Sequence, residues 1–477
     1  MVETTCSDTT SAPLFERRSP ITGAVVTRAV AANIAAARAA ADAAAAAFPA
    51  WSVMTPNDRR AKFQCAIDLL YKRADVFMQA MLDETAIAAS WAKHNVMGAV
   101  GMLREVAALA TQITGEVIPS DIPGRIALAV RRPAGVVLGM APWNAPLLLG
   151  IRAIATPLVC GNTVVLKASE LCPGTHWMIG ELFRDSGFPD GVVNVVTHEA
   201  QMAPGIVEAL ITHPAVRRVN FTGSTRVGRI VGELAGRHLK PAVLELGGKS
   251  SLIVLADADL EQAVSAAAFG AFGNQGQICM STERIVVDEA VADDFVCHLT
   301  TKVATLRTPD TSDSRGPLVP LISCEAAKRI EGLVHDAVDK GAVLHTPLHV
   351  EGAFLTPIVL DRVKPGMRVY EEESFGPVAA IVRVRDTDQA VTVANDTEYG
   401  LVAAVFGRDL SRTLTVAQRL AAGVCHINGA TVSGEPQLPF GGIKASGFGR
   451  FGGKAAIAEF TDLQLVTVQT SAQSYPA

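Results

Sequence analysis

Cys279 stands in Gly-Gln-Ile-Cys-Met-Ser, residues 276–281, and Glu245 in Leu-Glu-Leu-Gly-Gly-Lys, residues 244–249. The first offers a sulfur nucleophile in a loop, the second a carboxylate just ahead of a Gly-Gly turn. Upstream, Pro-Trp-Asn (142–144) offers the Asn144 side-chain amide as a donor to an oxyanion. A thiol, a base and an oxyanion donor on one chain describe covalent chemistry at a carbonyl carbon. A free thiol titrates near about 8.5, so little of it is thiolate at neutral pH, and Cys279 needs activation by Glu245, a water or backbone amides. An inert buried thiol is the usual fate of free cysteine. That reading holds for Cys65, Cys160 and Cys425, which lie in or beside apolar or helical patterns. Cys279 is set apart by its partners.

These groups must be positioned by elements far apart along the chain. Residues 28–50, 57–82 and 92–114 read as helices; then Ile126–Val130 and the apolar run Val136–Met140 read as strands. Beyond them strands and helices alternate: strand 163–167, helix 173–186, strand 192–196, helix 201–211, strand 216–221, helix 225–237, strands 243–246 and 251–254. Apolar strands in repeated β-α units predict a parallel, doubly wound sheet. After Asp259 a second α/β pattern begins with helix 260–273, strand 284–287 and helix 290–305. It closes with strands 378–384, 402–406 and 424–427 around helix 410–420. The tail Leu463–Val468 alternates like a strand but has no local partner, which suggests that it completes the sheet of another subunit.

The whole chain narrows the choice further. At 477 residues it predicts two or three domains. Hydrophobic content of 49% with 19% charged residues is a globular composition, and a net charge of −5 without a basic block argues against nucleic acid or anionic membrane as partner. The amino terminus, Met-Val-Glu-Thr-Thr-Cys-Ser-Asp, is too polar and acidic for a signal peptide, and no strongly apolar run reaches membrane-spanning length. The eight cysteines are scattered without a Cys-x-x-Cys pair, and the histidines lack metal-ligand spacing. A reducing cytoplasm without a metal centre fits best. His94 and His426 read as structural or surface residues, although His426 falls on a strand beside the expected pocket.

Three glycine-bearing segments imitate phosphate sites. Gly447-x-Gly449-x-x-Gly452 follows Lys-Ala-Ser instead of an apolar strand, so it reads as a surface loop. Gly248-Lys249-Ser250 resembles the end of a P-loop, but Val243 stands where its first glycine belongs. Phe221-Thr-Gly-Ser-Thr-Arg-Val-Gly228 is stronger: a strand ends, Gly223 and Ser224 turn, and a helix begins. Free amides at that helix start, with the Ser224 hydroxyl, suit a diphosphate or an ordinary N-cap equally well. Lys167 and Glu170 leave the carboxyl end of strand 163–167, where open α/β sheets bind ligands. Glu170 could accept both hydroxyls of an adenosine ribose and would repel a 2′-phosphate, which predicts NAD over NADP.

Taken together the segments resemble the aldehyde dehydrogenase superfamily across nearly the whole chain. The likeness is carried by Ala-Pro-Trp-Asn (141–144), Cys-Gly-Asn-Thr-Val-Val-Leu-Lys (160–167), Phe-Thr-Gly-Ser-Thr (221–225), Leu-Glu-Leu-Gly-Gly-Lys (244–249), Asn-Gln-Gly-Gln-Ile-Cys (274–279), Glu-Glu-Ser-Phe-Gly-Pro (372–377) and Pro-Phe-Gly-Gly-Ile-Lys-Ala-Ser-Gly (439–447). The resemblance implies an α/β fold: a Rossmann-type NAD-binding domain (1–114 and 134–246), a second α/β catalytic domain (247–446) and a β-strand oligomerisation arm (115–133 and 455–477) of a homodimer or homotetramer. It implies Cys279 as nucleophile, Glu245 as general base and Asn144 as oxyanion donor. Lys167 and Glu170 would hold the adenosine ribose, Gly223 and Ser224 the diphosphate, and Glu373 the nicotinamide ribose. Phe375 would pack by the nicotinamide, with Trp143 and Gly247 also on the cofactor side. Segments 143–155, 237–249, 278–284 and 425–429 look most similar to the bacterial aromatic aldehyde dehydrogenases of the vanillin and salicylaldehyde group. Ser251, where many relatives have proline, departs from the pattern away from the chemistry.

An aryl aldehyde needs an apolar slot with few polar anchors. Trp143, Ile278 and Met280 flank the reacting groups, and Trp91 and Met97 fall on a helix that could form the opposite wall. Arg152 is expected either to face the tunnel and contact a ring hydroxyl or methoxy oxygen, or to pair with an acid elsewhere. An aliphatic or semialdehyde substrate, the latter with Arg152 as carboxylate clamp, is the alternative. Hydrolysis by water, in preference to transfer to CoA, follows from the presence of Glu245.

Overall fold

The computed structural model of the chain describes residues 2–3, 13–306 and 318–475. Cys6 and most of the polar amino-terminal segment lie outside the described residues. Two sheets carry the architecture. In the first, six strands lie in the order Gly447–Phe448, Ala242–Glu245, Val216–Thr222, Val136–Met140, Thr163–Lys167 and Val193–Val196. All pairings are parallel except that of Gly447–Phe448 with Ala242–Glu245. In the second, the order is Val343–Leu344, Ile358–Asp361, Val378–Val384, Thr282–Asp288, Ser250–Val254, Val402–Phe406 and Val424–Ile427, again parallel except at the Val343–Leu344 edge. Val136–Met140, Ser250–Val254 and Val402–Phe406 are buried along their whole length, as strands covered by helices on both faces must be.

The first sheet reverses its winding between Val136–Met140 and Val216–Thr222: from the former, later strands run outwards one way to 163–167 and 193–196, and the other way to 216–222 and 242–245. At such a reversal the loops at the carboxyl ends diverge and open a crevice. Met140 pairs with both Phe221 and Lys167, and Thr222 with Glu245, so four strand ends lie level. The segments leaving them hold Asn144, Ser224, Glu170 and Gly247.

The Gly447–Gly452 segment is not the surface loop expected from its sequence. Gly447 pairs with Glu245, and Phe448 with Leu244. Gly447 has φ of +105°, and a Cβ there would run into the Leu244 carbonyl, so only glycine fits. The Ser446 carbonyl accepts from Leu246 N (3.1 Å), and its hydroxyl donates to the Gly247 carbonyl (2.6 Å). Those glycines let a hairpin close over the strand that carries Glu245.

Helix boundaries depart from the periodicity reading where tertiary pairing or a cap intervenes. Val25–Val30 is a strand paired with Leu14–Arg18, and the alanine-rich helix begins at Ile34 behind the Asn33 cap, whose side chain accepts from Ala36 N (2.9 Å). The expected helix over 57–82 is two, Pro56–Lys72 and Ala74–Thr85, broken at Arg73. The next, Ala89–Leu109, stops five residues short of the expected 114. The tail strand is Thr461–Gln469, and its partner lies more than 300 residues earlier in the same chain. It pairs antiparallel over its full length with Arg125–Pro133 of the same chain, which in turn pairs with Glu116–Ile118. Leu463, Leu465 and Val117 remain exposed on this small sheet. Among the described residues, no helix is long and apolar enough to cross a membrane.

Candidate active site

Asn144 leaves the strand Val136–Met140 just before the helix Pro146–Val159. Its backbone carbonyl accepts from Trp91 Nε1 (2.9 Å) and Asn274 Nδ2 (3.3 Å), and its own Nδ2 donates to the Gln277 carbonyl (2.9 Å). An amide nitrogen carries two hydrogens; one is used on the cysteine loop, which leaves the other for a ligand. Asn274, Gln275 and Gly276 all adopt left-handed backbone, with φ of 48°, 58° and 68°. Each non-glycine residue in that region costs about 1–2 kcal/mol, and the bend is held by Gln275 Nε2 on the Val319 carbonyl and Ser281 Oγ on the Gly276 carbonyl (3.0 Å). The bend presents Cys279, partly buried, to the cavity.

Glu245 ends the strand Ala242–Glu245 and is 1% exposed. Its Oε2 accepts from Arg152 Nη2 at 2.5 Å, and its Oε1 has no hydrogen-bond partner. Arg152 Nη2 also reaches Thr222 Oγ1 (2.9 Å), and its guanidinium lies over the rings of Phe451 (4.5 Å) and Phe440 (5.6 Å). The Cys279 thiol is held well above the usual thiol range, by burial first and then by the charge and hydrogen-bonding reach of Glu245, while Arg152 pulls it back down. Sulfur and carboxylate are therefore neighbours, and Arg152 has the acid partner that was one of its two expected roles.

Cys279, Asn144 and Arg152 line one cavity of about 210 Å³, whose walls include Trp91, Leu149, Ile278, Met280 and Phe440. Trp143 is not on this wall; it meets Phe375 edge-on, with ring centroids 5.9 Å apart. Met97 is absent from it too and is 49% exposed, because the helix Ala89–Leu109 turns Trp91, Gly98 and Met102 to the cavity. His94 and His426, expected as structural or surface residues, both line it. His94 stacks on Trp91 at 4.7 Å, and burial lowers the titration of both imidazoles, so they stand neutral.

On the other side of Cys279 lies a polar cradle that sequence reasoning found only in part. Lys249 Nζ meets Glu283 Oε2 at 2.7 Å with both side chains buried. The Glu283 carboxylate also accepts from Ser374 N (2.9 Å) and Phe375 N (2.9 Å), and Lys249 Nζ donates to the Glu372 carbonyl (2.7 Å). This buried pair holds Glu373 and Phe375, the latter at φ of 46°. Glu373 Oε1 accepts from Gly248 N (3.0 Å), and a Cβ on Gly247 would press on its carboxylate. Burial, then the Glu283 charge, pushes the Glu373 carboxyl up to about 7. Lys249 is the lysine of the segment that only imitates a P-loop end, and nothing local marks its distant partner.

Ser224 caps the helix Thr225–Arg237, its hydroxyl accepting from Val227 N (3.4 Å), and a Cβ on Gly223 would strike the Phe221 ring. Lys167 ends its strand with an amine pushed down by burial and drawn back up by Glu170. Together the capped helix start, the half-buried Glu373 and the Trp143–Phe375 pair fit an elongated dinucleotide with an anionic middle.

A family model described as the aldehyde dehydrogenase family matches residues 7–466. The chain belongs to this family. It is 56% identical over 462 residues to a vanillin dehydrogenase of Pseudomonas sp. strain HR199, covering 97% of this chain and 96% of that one. It is 44% identical over 470 residues to a salicylaldehyde dehydrogenase of Pseudomonas sp. strain C18, covering 98% and 97%. Among solved structures it superposes on a salicylaldehyde dehydrogenase from Pseudomonas putida G7 complexed with salicylaldehyde, at a TM-score of 0.96 and 44% identity, covering 98% and 96%. The expected α/β fold and enzyme class are therefore correct, and aldehyde dehydrogenases use a nicotinamide cofactor.

The buried Lys249–Glu283 pair generates a stability prediction. Glu283→Gln leaves Lys249 without its counter-charge and is expected to cost about 3–5 kcal/mol. Replacing both with apolar residues should cost less. Urea unfolding of the three proteins checks this, and a single variant as stable as the parent would contradict it.

Proposed function

We propose that the protein oxidises an aromatic aldehyde of the vanillin type to the carboxylic acid, with NAD as hydride acceptor, through a covalent adduct on Cys279. The observation that supports this reading most is that Cys279 and Asn144 line one largely apolar cavity, with one Asn144 amide hydrogen left free and Glu245 beside Cys279. The relatives named above, whose printed substrates are vanillin and salicylaldehyde, support the aryl class. The cavity walls of Trp91, Ile278, Met280 and Phe440 suit a flat ring. Benzaldehyde and salicylaldehyde remain within the proposed range.

In this reading Cys279, as thiolate, adds to the aldehyde carbon. The resulting oxyanion takes the free hydrogen of Asn144 Nδ2 and the Cys279 backbone N–H. Collapse to a thioester requires loss of hydride, and accepting it is the chemistry that a nicotinamide held by these residues would supply. Glu245 then removes a proton from water, whose hydroxide adds to the thioester carbon and expels the Cys279 thiolate. A thioester is more open to water than an ester, which is the advantage of sulfur here. Lys167 and Glu170 would hold the adenosine ribose, and Glu170 favours NAD by opposing a 2′-phosphate. Gly223 and Ser224 would hold the diphosphate, and Glu373, Phe375, Trp143 and Gly247 the nicotinamide end.

The proposed organisation has a cofactor domain of residues 1–114 and 134–246, a catalytic domain of 247–446 and an arm of 115–133 and 455–477. Its support is the division of strands between the two sheets, with the Gly447–Phe448 hairpin crossing back to the first. The exposed Leu463 and Leu465 on the arm support assembly as a homodimer or homotetramer. The free cysteines support a cytoplasmic setting.

Four outcomes are expected. Substituted benzaldehydes should exceed short aliphatic aldehydes in kcat/KM by about tenfold or more. Cys279→Ala should abolish oxidation, and Asn144→Ala should lower kcat by about 10²–10³. An aliphatic preference would overturn the aryl assignment, and oxidation by Cys279→Ala would overturn the mechanism. Finally, an ionised Glu373 accepts from a ribose hydroxyl more strongly than the neutral acid does, and burial pushes its carboxyl up to about 7. NAD should therefore bind about tenfold more weakly at pH 6 than at pH 8. A calorimetric titration in which Glu373→Gln keeps the same pH dependence would exclude this role.

A further inference from the structure

The Arg152–Glu245 contact points beyond the usual three groups. Arg152 lines the cavity beside Cys279, yet its guanidinium turns to a carboxylate that is 1% exposed. The contact is short at 2.5 Å, and it engages only Oε2. Thr222 Oγ1 holds the same nitrogen, and the faces of Phe440 and Phe451 hold the guanidinium plane, so its position is set independently of Glu245. The other carboxylate oxygen, Oε1, is buried without a partner. A buried acceptor with no partner, on a carboxylate beside a thiol, is where a proton can be received.

We infer that Arg152 is a positioning residue that anchors Glu245 by Oε2 and leaves Oε1 as the oxygen that takes protons. This rests on Glu245 being the general base. The S–H bond of Cys279 breaks and an O–H bond forms at Oε1; that proton passes to solvent. In the second half-reaction an O–H bond of water breaks, Oε1 takes the proton and hydroxide adds to the thioester carbon. Arg152 stays charged throughout and makes no bond to the substrate. Its cation also offsets the negative charge that Glu245, and more distantly Glu373, place on Cys279. The ionisable groups facing Glu245 are Arg152 from the helix Pro146–Val159 and Cys279 from its loop, with Glu373 beyond Cys279 and the Lys249–Glu283 pair behind Glu373. The strand Gly447–Phe448 brings none.

The test uses the full-length enzyme with Arg152→Met, which removes the charge at similar length, and Arg152→Lys, which keeps it. Arg152→Met is expected to lower kcat about ten- to a hundredfold. It should do so equally for benzaldehyde and for hydroxylated benzaldehydes, with KM little changed. The acid limb of its kcat–pH profile should move to higher pH, since a carboxylate and a thiolate that lose a neighbouring cation both hold their protons more tightly. Arg152→Lys should retain kcat to within about fivefold with the acid limb unmoved, and it carries the test alone if Arg152→Met does not fold. A loss confined to the KM of ring-hydroxylated substrates would overturn the proposal in favour of a substrate contact. So would an unmoved profile in Arg152→Met, or an Arg152→Lys profile moved to higher pH. Wild-type kcat in Glu245→Gln would instead overturn the general-base reading beneath it.

Discussion

Taking a carboxylate out of water costs several kcal/mol unless a counter-charge and hydrogen bonds replace its hydration. Glu245 sits at the end of a central strand, 1% exposed, and beside a thiol whose ionisation its own charge opposes. Everything around it addresses that cost. Arg152 brings the counter-charge from the helix after Asn144, two aromatic rings hold the guanidinium, and the glycine hairpin closes over the Glu245 strand without a side chain to intrude. Arg152 lies eight residues beyond Asn144 on the element leaving the same strand. One segment thus carries the proposed oxyanion donor and the cation that anchors the proposed base.

A second buried ion pair does for the cofactor side what Arg152–Glu245 does for the thiol side. Lys249 immediately precedes the strand Ser250–Val254, Glu283 lies on its parallel neighbour Thr282–Asp288, and the Glu283 carboxylate also accepts from the Ser374 and Phe375 amides. Removing either partner strands a charge in low dielectric, so the Glu373–Phe375 loop depends on both being present. Burial, and after it the same negative charge, raises the Glu373 carboxyl into the neutral range. A device that orders the loop thereby also sets the pH at which the proposed ribose acceptor becomes ionised.

Between these two pairs the cysteine loop makes three successive left-handed turns of backbone. Strain of that kind persists only where the surroundings determine it on every side. Here the side chains of Asn144, Asn274, Gln275 and Ser281 all donate to backbone carbonyls in or around the loop. The Asn144 amide therefore both supports the loop and keeps one hydrogen for the cavity, which couples the proposed oxyanion donor to the position of the nucleophile.

Most strands of the two large sheets, the carboxyl-end positions of Lys167, Asn144, Ser224 and Glu245, and the choice of Cys279 as the thiol that faces a cavity were legible in the residues. Each depends on local pattern: apolar runs make strands, and glycine or a capping hydroxyl marks where a strand gives way to a helix. The partner of the tail strand, the two halves of the 57–82 helix, the hairpin hidden in a false phosphate motif, and the cavity-facing His94 were not legible. Nor were Met97's outward turn and Trp143's place against Phe375. The Arg152–Glu245 and Lys249–Glu283 pairs belong with them, separated by 93 and 34 residues. Charges attract through space whatever their separation along the chain, and a side chain's rotation about its helix or strand is set by what packs against it. Residue type thus determined which chemistry was possible; only the packed fold decided which acid met which base.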